Sequence, residues 1–87
     1  MTVYDWAVVF LKERGMWPSE AAAVVERAFA HPALTGARAR WGEAWDDYPA
    51  PSRVLLVDTL IKCGLAYIEE HEPRVWYRPL FDGTIKQ

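Results

Sequence analysis

Cysteine is almost missing from this chain. Cys63 stands alone among 87 residues, so no intramolecular disulfide can form and no cysteine set exists for a zinc site. That favours a reducing compartment, and the expected location is the cytoplasm. Long apolar runs are lacking as well; none approaches the ~18 residues that a membrane-crossing helix needs. The opening Thr-Val-Tyr-Asp-Trp has no basic stretch followed by an apolar one, so no secretory leader is expected. An excess of one charge is also absent. Ten bases against twelve acids leave a net charge of -2, with no basic face for gripping nucleic acid through its phosphates.

Catalytic groups are equally scarce. The two histidines, His31 and His71, each fall at a predicted helix end, where an imidazolium complements the helix dipole. Glu69, Glu70, His71 and Glu72 are consecutive, so on a helix they point in different directions and cannot converge on one metal. Asp46 and Asp47 with Glu43 form the densest acidic patch. Acid–base work would need a pocket to split their pKa values, so a wet loop or a contact for a basic partner is the simpler role. Gly36 and Gly42 match no phosphate-cradling spacing. No enzyme activity, cofactor or metal is expected.

What the chain does have is aromatic surface. Five tryptophans, four tyrosines and three phenylalanines sit in a composition that is 52% hydrophobic and 25% charged. This is a globular balance, and the length allows one domain, residues 1–87. A chain this short buries only a little more than about 60% of its unfolded surface, so each large apolar residue counts.

The pattern predicts an all-α fold of three amphipathic helices. Thr2 and Asp5 suit a reciprocal N-terminal cap, and Val3, Trp6, Ala7, Phe10 and Leu11 give one buried stripe before Gly15. Met16, Trp17 and Pro18 make a joint, with Trp17 expected to plug it. Ala21, Val24, Val25, Ala28 and Phe29 repeat the stripe until His31-Pro32. The third helix runs from about Ser52 to His71, with Val57, Leu60, Ile61, Gly64, Leu65 and Ile68 inward and Val54 and Leu56 adding to the start of that face. Arg53, Thr59, Lys62, Glu69 and Glu70 are expected outside it. Gly64 marks a place where a helix can cross closely.

Residues 33–51 are irregular by their Gly36, Gly42, Pro49 and Pro51, yet Ala37, Trp41, Trp45 and Tyr48 keep a helical spacing. One or two helical turns around 37–46 are expected. The C-terminal segment 74–81, with Val75, Trp76, Tyr77, Leu80 and Phe81, is expected to be extended and packed across the bundle. Helix-turn-helix reading of DNA is disfavoured because the second helix exposes Glu20 and Glu26 beside Arg27.

Trp6, Phe10 and Phe29 are assigned to the core. The aromatics of the two irregular segments exceed what a three-helix core needs, and arginines accompany them. Tryptophan, tyrosine and arginine are the types enriched where partners bind. The candidate partner-binding residues are Arg38, Arg40, Trp41, Arg74, Tyr77 and Arg78, with Glu43, Asp46 and Asp47 as polar rim. Neighbouring residues place Trp45 and Trp76 inside and Trp41 and Tyr77 outside.

Met-Thr-Val-Tyr-Asp-Trp-Ala-Val at 1–8, Glu-Arg-Gly-Met at 13–16 and Trp-Tyr-Arg-Pro at 76–79 resemble short proteins encoded by bacteriophages and prophages. The resemblance implies a small accessory protein that binds and disables a host protein, anti-CRISPR proteins being one such class. It transfers no functional residues. The alternative is a structural or assembly protein that homodimerises through its exposed aromatics.

Overall fold

Thr2 opens the first helix with the reciprocal cap its sequence allows. Its Oγ1 accepts from the Asp5 amide at 3.1 Å, and Asp5 Oδ2 accepts from the Thr2 amide at 3.3 Å. The computed structural model describes residues 1–71, in which α1 spans Val3–Lys12, α2 Pro18–Phe29, α3 Thr35–Arg38 and α4 Ala50–Glu70. The fold is all-α: α1, α2 and α4 form the bundle, and α3 is a single turn between them. The expected packing of the 74–81 tail lies outside the described residues.

Gly15 sits at φ 102°, the left-handed stop expected after α1. The joint that follows differs from the sequence expectation. Met16 is buried, while Trp17 is 60% exposed. Pro18 starts α2, which places Trp17 at the extended N-cap position. Its amide is held by Glu20 Oε1 at 3.1 Å, so the backbone is capped while the indole stays in solvent. The unbranched Met16 side chain fills the joint instead.

In α4 the buried face is rotated from the expected one. Leu56, Thr59, Leu60, Cys63, Gly64 and Ile68 are buried, whereas Val57, Ile61 and Leu65 are only half-buried. Thr59 enters the core because its hydroxyl donates to the Leu55 carbonyl at 2.9 Å, leaving its methyl to pack. Val54, expected to add to the start of the stripe, is 70% exposed. Arg27 at the end of α2 pairs with Glu70 at the end of α4 at 2.8 Å and ties the two helices together. That contact holds the Glu70 carboxyl below its ordinary range.

Residues 37–46 hold the end of one helical turn and the start of a 3-10 turn, not a continuous helix. The backbone leaves α3 after Arg38, turns through Gly42, and is extended at Ala44 before a 3-10 turn, Trp45–Asp47. A continuous helix would spend the Trp41 carbonyl on the Trp45 amide. Instead the Trp45 amide donates to the Met1 carbonyl at 2.9 Å, and the Trp41 carbonyl accepts from Tyr4 at 2.9 Å. The aromatic spacing of Trp41, Trp45 and Tyr48 therefore reflects where each ring is needed, not a helical period.

Candidate partner-binding surface

The first amides of a helix have no partner within it and must find one elsewhere. In α1 the Val3 amide donates to the Glu43 carbonyl at 2.8 Å and Tyr4 to Trp41, while Asp5 is served by Thr2. An antiparallel bridge between Thr2 and Ala44 completes the seam. Residues 41–45 thus act as a cap supplied from the middle of the chain, and the helix start in turn fixes their backbone.

Side chains lock the same segment from its other side. Arg40 grips Glu43 through two parallel hydrogen bonds of 3.0 Å and lies 5.4 Å from the Tyr48 ring centre. This pairing holds the Glu43 carboxyl below its usual value through the hydrogen bond from Arg40. Arg53, expected in solvent, reaches back from α4 as a clamp. Its Nε donates to the Tyr48 carbonyl at 2.9 Å, its Nη2 donates to the Trp45 carbonyl at 2.8 Å, and its guanidinium lies 4.6 Å from the Trp45 ring centre. Arg53→Ala is expected to cost about 1–3 kcal/mol, because two carbonyls lose a charged donor and a ring loses its cation. Arg53→Lys should recover little of it, since an ammonium cannot span both carbonyls as the planar fork does. Urea unfolding of the three proteins measures this, and equal midpoints would remove the clamp.

The aromatics divide into two stacks. Trp45 lies flat on Trp6, with ring centres 4.0 Å apart and planes 6° apart, and Trp6 continues onto Phe10 at 5.2 Å. Both tryptophans are half-buried, so neither is the closed core residue expected of it. Tyr48 is buried. Trp41 forms the second group, meeting Tyr4 and Phe29 edge-on at 5.4 and 5.2 Å. It keeps 36% of its surface exposed, in line with the outward position expected for it.

The candidate residues therefore separate. Arg38, Arg40, Trp41 and Glu43 share one short stretch of rigid backbone, with Arg38 and Trp41 open to solvent. Asp46 and Asp47 are exposed on the 3-10 turn that follows. Arg74, Tyr77 and Arg78 lie outside the described residues.

Two features were not singled out in the sequence. One is a shallow apolar groove of about 420 Å³ walled by Trp6 and Trp45 and floored by Val54, Val57 and Ile61 of α4. The other is a cavity of about 240 Å³ between α3 and α4, beside Leu34, Arg40, Tyr48 and Leu55. The available signal for the groove is the surplus of apolar residues on α4, more than one inward face can bury.

Among the described residues no three His, Cys, Asp or Glu side chains are grouped to hold a metal ion. Cys63 is buried, and burial pushes its thiol up, opposed by the charge of Arg27. A thiol so held is a poor nucleophile. His31 caps the short turn after α2, its Nδ1 accepting from the Ala33 amide at 3.0 Å. His71 stacks on Tyr67 at 4.0 Å. No helix among the described residues is long and apolar enough to cross a membrane. No family model, curated protein or solved structure matches the chain.

Proposed function

We propose that the chain is a non-enzymatic protein-binding module of the phage accessory kind, which docks on a host protein and disables it, an anti-CRISPR role being one form of this. The observation that carries the reading is the Trp41 edge. A large aromatic stays more than a third exposed three residues after the exposed Arg38, on backbone already fixed by the capping bonds to α1. Aromatic and arginine anchors dominate binding energy where they meet a partner, and an anchor that is pre-ordered loses less entropy on docking. Asp46 and Asp47 at the rim favour a partner with basic groups opposite them.

The test is affinity capture of the tagged 87-residue chain from a bacterial lysate, with the captured protein identified by mass spectrometry. Arg38→Ala and Trp41→Ala should each keep the helical circular-dichroism spectrum. At least one should weaken binding of the purified partner by about 2 kcal/mol, roughly thirtyfold. A partner held undiminished by both variants would move the site elsewhere. A stable dimer in light scattering, with no partner captured, would favour the homodimer reading.

A further inference from the structure

Two kinds of residue line the cavity between α3 and α4. Leu34, Ala37 and Leu55 give it aliphatic walls, Arg40, Tyr48 and Ser52 bring donors, and no carboxylate is among its lining residues. Tyr48 is the informative one. It is 2% exposed, its amide donates to the Trp45 carbonyl at 3.0 Å, and its carbonyl accepts from Arg53 at 2.9 Å. The ring is therefore fixed in place, yet its hydroxyl has no hydrogen-bond partner among the described residues. A buried phenol ordinarily has one. Among those residues the fully enclosed side-chain atom without a partner is Arg14 Nε. The Tyr48 oxygen thus still touches open space, and that space is the cavity Tyr48 lines. Burial pushes the phenol up, opposed by the charge of Arg40, so near neutral pH the hydroxyl keeps its proton and can donate.

We propose that this cavity binds a small carboxylate with a short aliphatic chain, its oxygens meeting the Tyr48 hydroxyl and the start of α4 at Ser52. The proposal does not rest on the host-binding reading, whose anchors are Trp41 and Arg38. The start of α4 is the second observation that carries it. Pro49 at the N-cap offers no side-chain acceptor, Pro51 has no amide to give, and the first turn holds no acidic residue. Ser52 lines the cavity, and neither its amide nor its hydroxyl has an acceptor among the described residues. Such a helix start presents free donors and the positive end of the dipole. Asp5 and Glu20 supply a carboxylate at the starts of α1 and α2. At α4 the ligand would supply it.

Arg40 contributes a donor more than a charge. Its Nε and Nη2 are committed to Glu43, which offsets the guanidinium and leaves Nη1 uncommitted. The preference for an anion therefore comes from oriented hydrogen bonds and the α4 dipole, and it favours one carboxylate over a multiply charged group. Size sets the rest of the ligand. At roughly 30 Å³ for each water-sized share, a volume of about 240 Å³ takes about eight non-hydrogen atoms. Hexanoate has that number, and its chain matches the aliphatic side chains of Leu34, Ala37 and Leu55.

The experiment is an NMR titration of the isotope-labelled full chain with hexanoate, read at the backbone amides. Saturating shifts are expected at Gly36, Ala37 and Ser52, with a dissociation constant of about a millimolar or lower for a ligand of this size. Acetate, which leaves the walls unfilled, and hexanol, which lacks the charge, should each bind at least about tenfold more weakly. Tyr48→Phe removes only an oxygen without a partner, so the urea midpoint should hold while hexanoate binding falls about tenfold. Gly36→Leu places a side chain where a Cβ meets nothing within 4 Å, on the cavity wall, and should abolish binding with helical circular dichroism retained. Shifts that never saturate would overturn the proposal, as would acetate or hexanol binding as tightly as hexanoate. Undiminished binding by either variant would overturn it as well.

Discussion

Phe29→Ala should destabilise the protein by about 3–5 kcal/mol, the cost of removing a buried ring together with the cavity it leaves. Phe29 closes α2 where that helix meets the Trp41 segment, and it is 1% exposed. Its ring also supports the face on which Trp41 stands, at 5.2 Å and 72°. Small domains have about 5–15 kcal/mol in total, so this one change removes a large part of it. Trp6→Ala should cost less than Phe29→Ala, since Trp6 is half-buried and lies at the open groove. Chemical unfolding followed by circular dichroism measures both. A Phe29→Ala loss below about 1 kcal/mol would mean that the α2 end is not packed as described.

Leu60→Ala carries the second large effect, about 2–5 kcal/mol, and decides which face of α4 is inside. Leu60 has no exposed surface, while Leu55 is 43% exposed on a different side of the same helix. Leu55→Ala should therefore cost under about 1 kcal/mol, because little water-excluded area is lost. The pair is informative because both changes remove the same atoms from the same helix. Similar losses for the two would contradict the orientation of α4.

How far the sequence reading reached can be judged on that helix. Its length, and the burial of Leu60, Gly64 and Ile68, follow from periodicity and end signals. The rotation of its face does not, because α4 is apolar on more than one side. Val54, Val57, Ile61 and Leu65 compete with Leu56, Leu60, Cys63 and Ile68 for the inside, and only the positions of α1 and α2 decide between them. Thr59 looked external by residue type; its hydrogen bond to Leu55 is a geometric option that composition cannot announce. In α1 and α2 a single stripe exists, and the buried sets Val3, Ala7, Phe10, Leu11 and Ala21, Val24, Val25, Ala28, Phe29 all lie on it.

The candidate surface was legible as residue types and illegible as geometry. Arginine and tryptophan in residues 38–48 marked the segment, and Trp41 does lie further out than Trp45 and Tyr48. What the spacing could not reveal is that the carbonyls of Trp41 and Glu43 are committed to the amides of Tyr4 and Val3. A long-range cap has no local signature, since its two halves are some forty residues apart. Arg53 was misplaced for a related reason: its acceptors are backbone carbonyls of a turn whose shape is itself set by that cap.

That borrowed cap also bears on the order in which the molecule can assemble. At ribosomal speeds of about 5–20 residues per second, some 2–8 s separate the synthesis of Tyr4 from that of Trp45. Throughout that interval the first turn of α1 has the Thr2–Asp5 box and lacks the carbonyls that complete it. A ten-residue helix is marginal in water without tertiary support. The N-terminal helix therefore cannot serve as a finished platform on which later residues settle. The capping bonds between it and the Trp41 segment can close only after residue 45 has been made.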